Sequence, residues 1–126
     1  NMSVTSLEEW RKKQEIIGRC KSPQDLPLEA LGLKPTKDKP AEFKEDVEQI
    51  LSFYIVLDRA WRKPPTLKST FSREGAFHIA ICASMNFITN CINYEDDIYG
   101  NEWLITEAGM NFKKELDNAL RDLIEK

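Results

Sequence analysis

Three groups of residues in this 126-residue chain have side chains suited to chemistry. His78, the single histidine, stands four residues before Cys82, a spacing that places both on one helix face. A Cys-His pair is the minimum for nucleophilic catalysis, but nothing around it supplies an orienting acid or an oxyanion site. The commoner role of each residue is packing. Glu95, Asp96 and Asp97 put three carboxylates in a row, a potential seat for a divalent cation. The stretch lacks the alternating acids, central glycine and distal glutamate of a calcium loop, so a solvated turn is expected instead.

The third group is basic. Arg59, Arg62, Lys63, Lys68 and Arg73 lie close together, with Trp61 among them. Such a segment can hold a phosphate backbone. It is equally a solvated helix end whose cations complement the negative C-terminus of the helix before it, and the second reading is the commoner. There is no phosphate-cradling glycine loop, no recognisable Ser-His-Asp arrangement and no metal-type cluster. The expectation is a protein that is not an enzyme and uses no cofactor and no metal.

Composition narrows the class further. The length suits one domain, and 41% hydrophobic with 31% charged residues is ordinary for a globular chain. Eighteen basic and 21 acidic residues give a net charge of -3, which is no global field for attracting nucleic acid. Asn1 reads as an appended residue ahead of a natural Met2 start, without a signal-peptide pattern. The longest apolar run, Ile50 to Leu57, is too short to span a bilayer, so no membrane association is expected. Cys20, Cys82 and Cys91 are few, odd in number and without metal spacing, which fits a reduced cytoplasmic setting.

The elements that would position these groups follow from pattern. Ser6 opens a capping box with Glu9, and Leu7, Trp10, Ile17 and Cys20 recur at helical spacing. A turn of helix follows from Pro27 to Leu31, stopped by Gly32. Residues 34–40, KPTKDKP, have nothing to bury and read as a linker. Residues 1–40 are thus expected to be a helical N-terminal arm and linker, the arm packing onto the main domain or onto a partner, and residues 41–126 the main domain.

In that domain, Asp38 and Pro40 start a long helix with a stripe of Phe43, Val47, Ile50, Leu51, Tyr54, Leu57 and Trp61. Phe53, Ile55 and Val56 widen the stripe, which predicts a central helix closed by Pro64-Pro65. Ser72 caps one helix from Arg73 to about Met85, with Gly75 signalling close packing. A strand over residues 87–92, an acidic turn, and a second strand over residues 102–106 form a hairpin. Thr106 caps a last helix whose stripe is Phe112, Leu116, Ala119, Leu120 and Leu123. The fold class is mainly α with a small two-stranded β-hairpin.

Phe87-Ile88-Thr89, a turn, and then Trp103-Leu104-Ile105-Thr106-Glu107-Ala108-Gly109-Met110 resemble the winged helix-turn-helix superfamily over residues 42–126. There, a helix leads into a two-stranded wing whose return strand runs into a Leu-Thr-x-x-Gly pattern and a helix. The resemblance implies a winged-helix-like fold of bacterial or phage-like type. Trp103 and Ile105 would anchor the wing, and Gly109 would let the last helix approach closely. It also implies transcription regulation, and a homodimer through Phe112, Leu116, Leu120 and Leu123. The stripe alone leaves core and dimer equally open.

The residues argue against the superfamily's usual use of DNA. The helix from Arg73 to Met85 is apolar on most sides, whereas a groove reader exposes Arg, Lys, Asn or Gln. It should be buried in the core or under another protein. The wing carries Glu95, Asp96, Asp97 and Glu102, with no Lys or Arg between Cys91 and Met110. Phosphate would repel it. The expected function is a small interaction protein that binds another protein through these acids. The alternative is a DNA-binding regulator using Arg59, Arg62, Lys63, Lys68 and Arg73.

Overall fold

The computed structural model describes residues 4–33 and 47–125, with side chains from residue 8 to residue 123. The expected linker, the Asp38 cap and Phe43 lie outside the described residues. Among the described residues, five helices and a hairpin follow in the order α1 (Val4–Gly18), α2 (Gln49–Arg62), α3 (Thr70–Glu74), α4 (Ala76–Ser84), β1 (Ile88–Asn93), β2 (Ile98–Ile105) and α5 (Glu107–Glu125).

The central helix is central, as its stripe predicts. Leu51, Tyr54, Ile55, Val56, Leu57 and Ala60 of α2 are all buried, on more than one side of the helix. Its end is fixed by the Lys63 amide bonding back to the Arg59 carbonyl, just before Pro64-Pro65 removes further donors. α5 lies along it. Leu116 and Leu120 are buried, and Phe112 and Leu123 pack against the same core. Of the stripe expected to serve either core or dimer, Leu116 and Leu120 thus lie in the chain's own core, with Phe112 and Leu123 partly buried against it.

The described part of the N-terminal arm packs onto this core. Trp10, Ile17, Leu31 and Leu33 belong to the same buried cluster as α2. Gln14 Nε2 and Tyr54 Oη both donate to Asp117 Oδ1, at 3.1 and 2.9 Å, tying α1, α2 and α5 together. Ser52 Oγ donates to the Pro23 carbonyl at 2.9 Å. α1 starts at Val4, so Ser6 lies inside the helix rather than at its cap. The turn at residues 27–32 forms as expected, with Gly32 at φ +74°.

The segment between α2 and the hairpin departs most from expectation. One helix capped by Ser72 was predicted; two short helices form, broken at Gly75. Ser69 is the cap, its Oγ accepting from the Ser72 amide at 3.1 Å. Ser72 Oγ is drawn instead to the Thr66 carbonyl at 2.7 Å. Sequence pattern missed the break because α3 is barely more than one turn. The close packing signalled by Gly75 is real: a Cβ there would lie 2.8 Å from Pro23 Cδ.

β1 and β2 pair antiparallel, with Ile88 opposite Ile105 and Cys91 opposite Tyr99. β2 begins at Ile98, earlier than predicted, and runs through Gly100, over which Ile92 lies. The other edge of β2 meets the stretch after α2. Thr66 bridges to Glu102, the Leu67 amide donates to the Asn101 carbonyl, and the Trp103 amide donates to the Pro65 carbonyl. No helix among the described residues is long and apolar enough to cross a membrane.

The Thr106 junction forms as the motif predicts. Its Oγ1 accepts from the Gly109 amide at 3.0 Å and donates to the Asn86 carbonyl at 2.6 Å. A Cβ on Gly109 would collide with the Phe87 carbonyl oxygen, so glycine is what lets α5 start against the strand. Phe87 and Phe112 stack with centroids 4.5 Å apart, and Trp103 and Ile105 pack on the core.

Candidate functional site

The distal half of the hairpin projects from the core. Its turn, Tyr94 to Asp97, is held by Asn93, whose Oδ1 accepts from the Glu95 and Asp96 amides at 3.0 and 3.2 Å. Asn93 Nδ2 donates to Asp96 Oδ2 at 3.1 Å, and Asp97 takes a left-handed φ of +51° that Asp tolerates better than most residues. This fixes the local shape of the acidic turn. Glu95, Asp96, Asp97 and Glu102 are all exposed, and among the described residues none of them forms an ion pair.

Beside the acids lie side chains that the sequence analysis did not single out. Ile92 (63% exposed), Tyr94 (64%), Ile98 (48%) and Tyr99 (63%) surround the turn. Ile92 lies over Gly100, whereas Tyr99 alternates to the opposite face, so apolar surface is uncovered on both sides of the hairpin. A signal was present: four large apolar residues in the eight positions 92–99 flank a turn that is too short to bury them.

α4 exposes apolar surface as well. Only Ile79 and Cys82 are buried; Phe77 is 61% exposed, with Ala76, Ala80 and Ser84 also outward. Met85, just after the helix, is exposed. Of the two fates expected for an apolar helix, burial in this chain's own core holds for Ile79 and Cys82 but not for Ala76, Phe77, Ala80 and Ser84.

The five predicted phosphate contacts do not act as one group. Arg62 Nε donates to both Asp58 carboxylate oxygens, at 3.0 and 2.8 Å, and Arg59 Nε donates to the Lys63 carbonyl while its guanidinium lies over Phe71. These two are engaged in holding α2. Lys63, Lys68 and Arg73 are exposed, and no carboxylate among the described residues pairs with them.

Asp58 is a buried anion that the sequence analysis passed over, although a carboxylate inside the apolar run of α2, four residues before Arg62, was the signal. Burial raises its pKa, and Arg62 and Lys113 pull it back part of the way. Lys113 Nζ sits 3.7 Å from Asp58 Oδ1 and 4.5 Å from the Trp61 ring centroid. A shallow groove of about 360 Å³ runs beside it between α1 and α5, lined by Gln14, Met110, Lys113, Lys114, Asp117 and Asn118. Its best-placed charges already have partners within the fold.

The two residues of the candidate Cys-His pair are packed against their neighbours. Cys82 is fully buried, and burial pushes its thiol up to about 12. His78 is wedged edge-on between Phe53 and Phe77, with Nε2 3.4 Å from Gln49 Oε1. Burial lowers its pKa, and Nδ1 is buried with no hydrogen-bond partner. Among the described residues no group of His, Cys, Asp and Glu has the geometry of a metal site.

The chain matches no family model, no curated protein and no solved structure.

Proposed function

We propose that this chain is a non-enzymatic regulatory protein with a winged-helix-like fold that acts in the cytoplasm by binding another protein. The order of helix, short bridging segment, two short helices, hairpin and helix supports the winged-helix reading. The Thr66–Glu102 bridge supports it too, because it sets a third extended segment against the return strand. In such a fold the second short helix and the wing are the surfaces that meet a partner.

One observation carries the protein-binding reading. Both of those elements expose large apolar side chains, Phe77 and Met85 at the helix and Ile92, Tyr94, Ile98 and Tyr99 at the hairpin, and those of the hairpin stand beside acids with no Lys or Arg between Cys91 and Met110. Apolar, partly aromatic surface of this kind is what protein interfaces cover. DNA would instead meet the carboxylates of the turn, with no counterion-release gain.

Two measurements test this. Fluorescence anisotropy of a labelled random DNA duplex should show no binding at low or moderate salt. Salt-sensitive binding lost on replacing Lys63, Lys68 and Arg73 with Ala would favour the DNA-binding regulator instead. Isotope-ratio pull-down from source cells should recover a protein with the wild type and lose it with Phe77→Ser/Tyr99→Ser. That protein should bind again as a purified component. Equal recovery by both forms would overturn the interface.

A further inference from the structure

The hairpin's partner can be given a chemistry, resting on the protein-binding reading above. The exposed surface to be covered is the strand surface around Ile92, Tyr94, Ile98 and Tyr99, and it lies on both faces of the hairpin. Glu95, Asp96 and Asp97 sit at its tip, shaped by Asn93, and Glu102 stands on the return strand. Between Cys91 and Met110 there is no Lys or Arg to neutralise them.

Three occupants compete for that surface. A second copy of this chain meeting tip to tip would bring like charges together while offering no cation, which electrostatics disfavours. A neutral apolar surface would cover the tyrosines and isoleucines but would have to desolvate or skirt three adjacent carboxylates. A cationic protein surface with apolar residues between its Arg and Lys side chains satisfies both features. Its charges pair with the acids, and its guanidinium or ammonium groups lie on the faces of Tyr94 and Tyr99.

We infer that the hairpin tip docks a cationic, apolar-interleaved protein segment through Ile92, Tyr94, Ile98 and Tyr99, with Glu95, Asp96 and Asp97 selecting the charge. The acids steer the approach, and the exposed side chains supply the area that is buried. Their joint use separates specific docking from general polyanion attraction.

The experiment uses the full chain and three synthetic peptides, read by anisotropy at low and moderate salt. One peptide carries Arg interleaved with Leu; one replaces Arg by Glu; one replaces Leu by Ser. The Arg-Leu peptide should bind, and the other two should bind at least about tenfold more weakly. Glu95→Gln/Asp96→Asn/Asp97→Asn keeps the turn's hydrogen-bonding shape and should weaken binding by about tenfold. Tyr94→Ser/Tyr99→Ser should weaken it by a similar factor, with unchanged circular dichroism. Failure of the Arg-Leu peptide to bind overturns the inference. So does binding of the Ser-containing peptide as well as the Arg-Leu one, which means charge alone. Tighter binding of the Glu-Leu peptide overturns the cationic assignment. In each of these cases a partner captured in the pull-down would still stand, so the two readings fail separately.

Discussion

The Pro23 ring occupies the space into which a side chain at residue 75 would project, with Pro23 Cδ 2.8 Å from the position of a Cβ there. An N-terminal segment thereby fixes the sharp junction between α3 and α4. Gly75→Ala should lower stability by about 1–3 kcal/mol through overpacking. Pro23→Ala in the same chain should recover much of that loss, because the two residues share one contact. Urea denaturation of both single variants and the double variant gives the answer; strictly additive losses would mean that the two residues do not meet.

Arg62 and Asp58 form the best-defined ion pair. Because burial raises the folded pKa of Asp58 above its ordinary 3.8, the folded state holds that proton more tightly than the unfolded chain does. The resulting stabilisation is complete below 3.8 and is lost as pH rises through the raised value. The stability of the wild type relative to Asp58→Asn should therefore fall as pH rises above 3.8. Arg62→Met should extend that window upward and cost about 1–3 kcal/mol at neutral pH, by leaving a buried acceptor short of a donor. A difference independent of pH, measured by denaturation across the range, would refute this.

The cysteines should differ in reactivity. Burial pushes Cys82 to about 12, and burial together with Asp25 and Asp58 pushes Cys20 to about 11, so neither is a thiolate at neutral pH. Cys82 and Cys91 are buried, while Cys20 is half-buried. Alkylation of the native protein should be slow and should reach Cys20 first, with Cys82 modified only on unfolding. Peptide mapping after timed quenching distinguishes the sites; early labelling of Cys82 would mean that α4 opens locally.

Leu120 is fully buried between α5 and the core. Leu120→Ala should cost about 2–5 kcal/mol. Sedimentation at several concentrations should show the same association state for the folded variant as for the wild type. A selective loss of dimer in a still-folded variant would restore the stripe as an interface.

His78 should titrate low. Burial depresses its folded pKa, so the stabilisation is complete above the ordinary histidine value of 6.5 and is lost as pH falls from there through the lowered value. Its ring proton shifts, followed by NMR, should report an apparent pKa below that value.

Local pattern was enough wherever the physical cause was local. The 3.6-residue stripe of α2 required a helix covered on several sides, and the bulk of Leu51, Tyr54 and Leu57 left nowhere else for it to go. Thr106 was readable for the same reason: a cap acts on its own neighbours, here the Gly109 amide. The acidic, cation-free turn was legible because charge is a property of the residue itself. Only the tertiary structure decided what lay across from each residue. It packed Trp10, Ile17, Leu31 and Leu33 of the N-terminal arm onto the main core, where the sequence had left open whether the arm covers the domain or a partner. It packed Pro23 against the helix break at Gly75, set Leu116 and Leu120 of the α5 stripe in the core, and engaged Arg59 and Arg62 at the end of α2. It also left Phe77, Tyr94 and Tyr99 uncovered. Hydropathy says that a side chain gains by burial, but whether a partner surface is present depends on segments far away in the chain.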